Sequence, residues 1–132
     1  MGGVKINLAF YHGKRFGTDK EAYFSQADIF VFPTYYHNEC FPLVLLEAMQ
    51  QGIACIASSE GGIPSIIEEG KTGYIIEKKN ASALADKIEF LLNNPSLCQK
   101  MGENGQKKFL AEFTIERFEN RMKTLLEKLV TN

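Results

Sequence analysis

The chain has 132 residues, of which 45 % are hydrophobic and 23 % charged, with a net charge of −1. That length fits one domain with its own core, and the near-neutral charge leaves no basic footprint for nucleic acid and no polybasic patch for a lipid surface. No apolar run approaches the ~20 residues that span a bilayer, and the start Met1-Gly2-Gly3-Val4-Lys5 has no signal-peptide core.

These features lead to the expectation of a single cytoplasmic domain over residues 1–132. Peripheral contact at the inner face of a membrane, through a partner or a further domain, stays open. The three cysteines, Cys40, Cys55 and Cys98, are odd in number and lack paired spacing, which argues against a disulfide framework or a zinc site. They read as reduced thiols, with Cys55 a small hydrophobe inside an apolar run.

Strand and helix signals alternate along the chain, the pattern of an α/β fold with a largely parallel sheet. Asn7-Leu8-Ala9-Phe10-Tyr11 is a first strand candidate, closed by His12-Gly13. Lys14 and Arg15 read as a solvated loop, and Asp19 as the cap of a short helix over Lys20 to Gln26. Asp28 to Phe32 is a continuous apolar run ended by Pro33, which suits a strand covered on both faces. A polar loop runs from Thr34 to Phe41. Pro42 then opens a helix to about Gln51, and Gly52 stands just past its end. Ile53 to Ala57 is the next buried strand, Ser58 to Gly62 a flexible turn, Ile63 to Glu68 a short helix and Thr72 to Ile76 a last strand. The remainder is helical. Asn80 caps a helix with Ala81, Leu84, Ala85, Ile88, Leu91 and Leu92 on one face. Pro95 starts the next, with Leu97, Met101 and Phe109 on one face. After Thr114 a third carries Ile115, Phe118, Met122, Leu125, Leu126 and Leu129. These stripes are expected to be packing surfaces.

The segment Glu39-Cys40-Phe41-Pro42-Leu43-Val44-Leu45-Leu46-Glu47 carries the chemistry. Glu39 lies in the loop before a helix. Glu47 lies on that helix, about one and a half turns in at ~3.6 residues per turn. Between them the helix start presents free N–H groups that favour anions. Carboxylates accept hydrogen bonds from hydroxyls and repel phosphate. The fitting ligand has phosphate in the middle and hydroxyl-bearing rings at both ends, as a nucleotide-diphosphate sugar does. The loop also follows the C-terminal end of a parallel strand, where open α/β sheets bind ligands. On pattern alone, a solvated Glu39 and a surface Glu47 explain the same spacing equally well.

The same residues resemble the Glu-x7-Glu signature of the retaining GT-B glycosyltransferases, and the wider string resembles family four. Ala27-Asp28-Ile29-Phe30-Val31-Phe32-Pro33 looks like the strand leading into the signature, and Leu46-Glu47-Ala48-Met49-Gln50-Gln51-Gly52 like its helix. Gly61-Gly62-Ile63-Pro64 and Gly70-Lys71-Thr72-Gly73-Tyr74 match two downstream landmarks in order. The similarity covers roughly residues 4 to 90.

The resemblance implies a Rossmann-like parallel sheet with flanking helices, as the truncated C-terminal, nucleotide-sugar-binding domain of a GT-B enzyme. It implies retaining transfer of a sugar from a nucleotide donor to an acceptor hydroxyl, in polysaccharide or glycoconjugate synthesis. Glu39 would be catalytic, binding hydroxyls of the transferred sugar. Glu47 would bind the ribose. The Phe41 and Leu43 amides would hold the phosphate and sugar side, with Pro42 and Val44 completing the seat. No cofactor and no metal is implied beyond the donor. The acceptor, a glycan or lipid-linked sugar, would be bound by an N-terminal domain outside this chain, so the fragment alone would be inactive. Two positions depart from the family: Pro42 stands where glycine is frequent and removes one N–H, and Ser65 stands where glutamate is common.

About four strands are expected here, with an open edge that invites self-association. Another reading is a non-catalytic nucleotide-sugar-binding module, or a subunit that completes a transferase in trans. An unrelated flavodoxin-like interaction domain is a third.

Overall fold

A computed structural model describes residues 9–131. Its elements run in the order α1 (Gly17–Gln26), β1 (Ile29–Phe32), α2 (Leu43–Gln50), β2 (Ala54–Ser58), α3 (Ile63–Ile66), β3 (Gly73–Ile76), α4 (Ala81–Leu92), α5 (Pro95–Glu112) and α6 (Ile115–Val130). The three strands form one parallel sheet in the order β1-β2-β3. Ile29 pairs with Ala54 and Phe32 with Ala57, while Cys55 pairs with Gly73 and Ser58 with Ile76.

Alternation of side chains along each strand divides the core into two layers. On one face Cys55 and Ala57 meet Leu45, Leu46, Ala48 and Met49 of α2, Ile63 and Ile66 of α3, and Phe24 of α1. Phe30 and Phe32 of β1 join this layer, with ring centroids 6.3 Å apart. On the other face Ala54, Ile56 and Ile76 meet Leu91 of α4 and Met101 of α5, with Ile29 and Val31 packed alongside. Every residue of β2 is buried, which explains its unbroken apolar run. β1 is half-buried throughout, because it is an edge strand among the described residues.

Close approaches hold the helices on the sheet. A Cβ on Gly73 would stand 2.0 Å from the Cys55 carbonyl oxygen, so β3 pairs with β2 only without a side chain there. A Cβ on Gly102 would stand 2.0 Å from the Gly52 carbonyl oxygen, where α5 crosses the end of α2. Gly52 itself has φ +73°, the left-handed residue that ends α2.

Several expectations hold and several need correction. Asn80 caps α4 through the Ala83 amide at 2.9 Å, and α6 follows Thr114 as expected, with the Thr114 side chain adding a cap on the Arg117 amide at 3.2 Å that the sequence reading did not name. Asp19 does not cap α1. The helix starts earlier, after Phe16, and Asp19 sits in its first turn, where a carboxylate still favours the positive helix end. Of the first strand candidate, Asn7 and Leu8 lie outside the described residues, and Ala9-Phe10-Tyr11 is irregular and exposed. The sheet therefore has three strands among the described residues instead of about four. The stripe of α6 is not a packing surface within the described chain. No residue of α6 is buried, and Ile115, Phe118, Leu125, Leu126 and Leu129 are each more than half exposed. No helix among the described residues is long and apolar enough to cross a membrane.

Two glycines on α5 should respond to alanine with opposite signs. Gly102→Ala should cost roughly 2–4 kcal/mol, since backbone must move. Gly105→Ala meets only Met49 and Thr72 at 3.8–3.9 Å and should gain up to about 1 kcal/mol from helix propensity. Urea midpoints of the two variants measure both. Hydrogen exchange should separate the elements as well: α6 amides should exchange at least about a hundredfold faster than those of β2, because few apolar contacts hold α6 down.

Candidate functional site

β1 ends at Phe32, and its C-terminal end feeds the loop from Pro33 to Phe41. The Ser58 hydroxyl, buried at the end of β2, donates to the Thr34 carbonyl and ties the start of this loop to the neighbouring strand. The Glu39 amide donates to the Tyr36 carbonyl at 2.9 Å and closes a turn through His37 and Asn38. The far end of the loop lies against the turn that follows β2. The Gly62 amide donates to the Cys40 carbonyl at 2.6 Å. A Cβ on Gly61 would stand 1.7 Å from the Glu39 carbonyl oxygen, and one on Gly62 would stand 2.5 Å from that of Cys40. The Gly-Gly step is thus a backbone-to-backbone seat for the segment that bears Glu39, and the positive φ of Gly61, +49°, suits the same turn.

The turn bearing these glycines is anchored on its own account. Glu60 has a side chain only 9 % exposed, with Lys78 Nζ at 2.9 Å from its Oε2. That oxygen has no well-aligned hydrogen bond, so the ionic contact from the loop after β3 is what compensates its burial.

The expected site residues are then consecutive around one helix start. Glu39 is half-buried in its turn. Phe41 is 43 % exposed, with its ring 5.9 Å from that of Phe113 in an edge-on arrangement. Pro42 is buried and occupies the N-cap of α2 with φ −72° and ψ 110°. It is the residue before the helix rather than its first residue, and its carbonyl already accepts from the Leu45 amide at 3.1 Å. Leu43, the first helical residue, is 67 % exposed, and Val44 packs on the core. Amides at such a start have no intrahelical acceptor and point outward, toward where an anion would sit. Glu47 lies four residues further, about 6 Å along the axis at ~1.5 Å per residue, and is half-buried.

The structure adds a residue that the sequence did not single out. Lys20 Nζ of α1 stands 2.7 Å from Glu47 Oε2. On the sequence, a lysine in a short polar helix is indistinguishable from a solvated charge, and only the tertiary approach of α1 to α2 reveals the pair. Lys14 and Arg15 are exposed as expected, with the Arg15 guanidinium 5.8 Å from the Tyr23 ring centroid. Ser65 is exposed, and its carbonyl accepts from Lys108 Nζ at 3.3 Å. Among the described residues no group of three His, Cys, Asp or Glu side chains could hold a metal ion.

The cysteines differ in environment. Burial pushes the Cys55 thiol up to about 12, and burial, then the nearby Asp28 carboxylate, raises that of Cys98. Cys40 is exposed, three residues before Leu43, the first residue of α2.

A parallel α/β sheet with a helix opening beyond the C-terminal end of β1 is an arrangement of the Rossmann-like class. Residues 3–108 match the family of group 1 glycosyl transferases, and the chain belongs to that family. It is 34 % identical over 115 residues to the capsular polysaccharide biosynthesis glycosyltransferase CapM of Staphylococcus aureus, covering 84 % of this chain and 30 % of CapM. Sucrose-phosphate synthase from Thermosynechococcus elongatus superposes with a TM-score of 0.75 at 35 % identity, over 83 % of this chain and 27 % of that one. Anabaena HepE, solved in complex with UDP-glucose, shares the fold with a TM-score of 0.76 at 21 % identity, over 86 % of this chain and 31 % of that one. The chain thus spans less than a third of the length of these proteins.

The thiol environments predict one outcome directly. Iodoacetamide at mildly alkaline pH should label Cys40 first and leave Cys55 unmodified in the folded chain, as read by peptide mass spectrometry. The sign for stability follows as well. A thiol whose proton is held more tightly in the folded state makes the fold lose stability as pH rises from about 9 toward 12, where the unfolded chain ionises first.

Proposed function

We propose that this chain is the donor-binding domain of a retaining GT-B glycosyltransferase of family four, with Glu39 and Glu47 as its Glu-x7-Glu pair. The observation that carries the reading is the start of α2 set between the two carboxylates, with the Glu39 segment seated on Gly61 and Gly62. The diphosphate of a nucleotide sugar lies at the Phe41 and Leu43 amides, where helix-end partial charge favours it. Pro42 contributes no N–H, so the seat relies on its neighbours and on ordering by the buried proline ring. Glu47 accepts from the ribose hydroxyls at one end, and Glu39 from hydroxyls of the transferred sugar at the other.

Transfer breaks the bond between the sugar's anomeric carbon and the β-phosphate oxygen and forms one to the acceptor hydroxyl oxygen. The electron pair leaves on the phosphate oxygen, which takes up the proton that the acceptor hydroxyl gives up, and preorganised amides at that oxygen stabilise the charge as it develops. The donor is a substrate, and the reading needs no cofactor. The acceptor is a glycan or lipid-linked sugar, bound by the part of the enzyme that this chain does not span. The similarity to CapM favours a role in surface polysaccharide assembly. Since HepE was solved with UDP-glucose, uridine nucleotides are the first donors to test.

Calorimetric titration of the chain with UDP, GDP and their glucose and mannose conjugates tests the site. Glu47→Ala should weaken nucleotide binding about tenfold, the effect of one lost charge-assisted hydrogen bond or more. Glu39→Gln should weaken the sugar conjugate and leave the bare diphosphate within about twofold. Binding that ignores both substitutions would overturn the assignment.

A further inference from the structure

The 2.7 Å contact between Lys20 Nζ and Glu47 Oε2 joins side chains that are 34 % and 37 % exposed. A pair open to water to this degree contributes little to stability, so the fold does not depend on it. Its chemistry is that of a ligand site. A carboxylate only accepts hydrogen bonds, and an ammonium only donates, with three hydrogens to place. With one contact made between them, Glu47 keeps Oε1 free of this partner and Lys20 keeps further N–H donors. A vicinal diol needs both kinds of group, because each hydroxyl donates one hydrogen and accepts others. Glu47 alone meets only half of that need.

Charge points the same way. Glu39 and Glu47 flank the start of α2, and two carboxylates beside a diphosphate repel it. The first turn of α2, Leu43-Val44-Leu45-Leu46, holds no basic residue, and Pro42 removes one N–H. A lysine on Glu47 offsets part of this negative charge without occupying the phosphate seat itself.

We propose that Lys20 is a second nucleotide-binding residue, which forms with Glu47 a donor–acceptor clamp on the ribose 2′,3′-diol. The inference rests on the reading of Glu47 as the ribose-binding group. It gives α1 a function in selecting ribonucleotide donors over forms that lack the diol.

The test titrates the chain, Lys20→Met, Lys20→Arg and Glu47→Gln with UDP and GDP and with their 2′,3′-dideoxy forms. The unsubstituted chain should prefer the ribose form about tenfold. Lys20→Met should bring that preference to within about twofold by weakening the ribose form alone, and Lys20→Arg should retain most of it. Equal weakening of both forms in Lys20→Met would show a general charge effect and overturn the clamp. So would an unchanged preference in Lys20→Met alongside a lost preference in Glu47→Gln, which would leave the reading of Glu47 standing. A chain that binds neither form, or that shows no preference for ribose, would overturn the reading of Glu47 and the clamp together.

Discussion

Both core layers of this domain are built on one strand with no exposed residue. β2 runs Ala54-Cys55-Ile56-Ala57-Ser58, and its side chains are small wherever a neighbour must come close. Ala54 and Ile56 face α4 and α5, while Cys55 and Ala57 face α2 and α3. The backbone of Cys55 admits β3 only because Gly73 has no side chain. The last residue, Ser58, then turns the strand's end into an anchor, since its hydroxyl holds the Thr34 carbonyl. Burial of this strand therefore does two things: it supplies the centre of both core layers, and it fixes where the loops after β1 and β2 leave the sheet.

The site inherits its geometry from that anchor. The Glu39 segment is held from one side by the β1–α2 turn and from the other by Gly61 and Gly62, and neither contact uses its side chain. The carboxylate is thereby left available while its backbone is fixed, which is the division of labour a ligand site requires: a rigid frame and a free functional group. Glu47 is fixed differently, by the helix it stands on and by Lys20. The two glutamates stand before and after the same helix start in the chain, and each is held for a reason independent of the other. One is set by backbone packing after β2, the other by helical rise from the buried Pro42.

How much of this could be read from the sequence depends on the range of the interaction. The limits of α2 were legible because proline and glycine act locally, and Pro42 and Gly52 stand at its two ends, with Gly52 at φ +73°. Asn80 was legible as a cap for the same reason, whereas Thr114 marked only where the last helix follows and its capping bond emerges from the structure. The start of α1 was misread because a capping side chain is only one way to begin a helix, and Phe16 begins this one with none. Gly61-Gly62 stood out as a landmark, but the demand it meets, two carbonyl oxygens within a side chain's radius, comes from a loop some twenty residues away in sequence. Lys20 carried no signal at all, since its partner is brought to it by the sheet.

The stripe of α6 shows where periodicity stops being informative. The spacing of Ile115, Phe118, Met122, Leu125 and Leu129 specifies a helix and one apolar face, and the helix is there. Periodicity says that a face will be buried, not what will bury it. In α4 the same kind of pattern finds Ile56 and Ile76 of the sheet. In α6 it finds no cover among the described residues, and the exposed row is longer than scattered surface hydrophobes would give. The two helices differ in how they are connected to the sheet. α4 follows β3 after a four-residue loop capped by Asn80, and must fold back on the sheet. α6 follows the eighteen-residue α5, whose far end at Phe109 and Phe113 is the last point of contact with the core. Beyond it the chain has left the sheet behind, so an amphipathic pattern there cannot be satisfied by the domain's own strands.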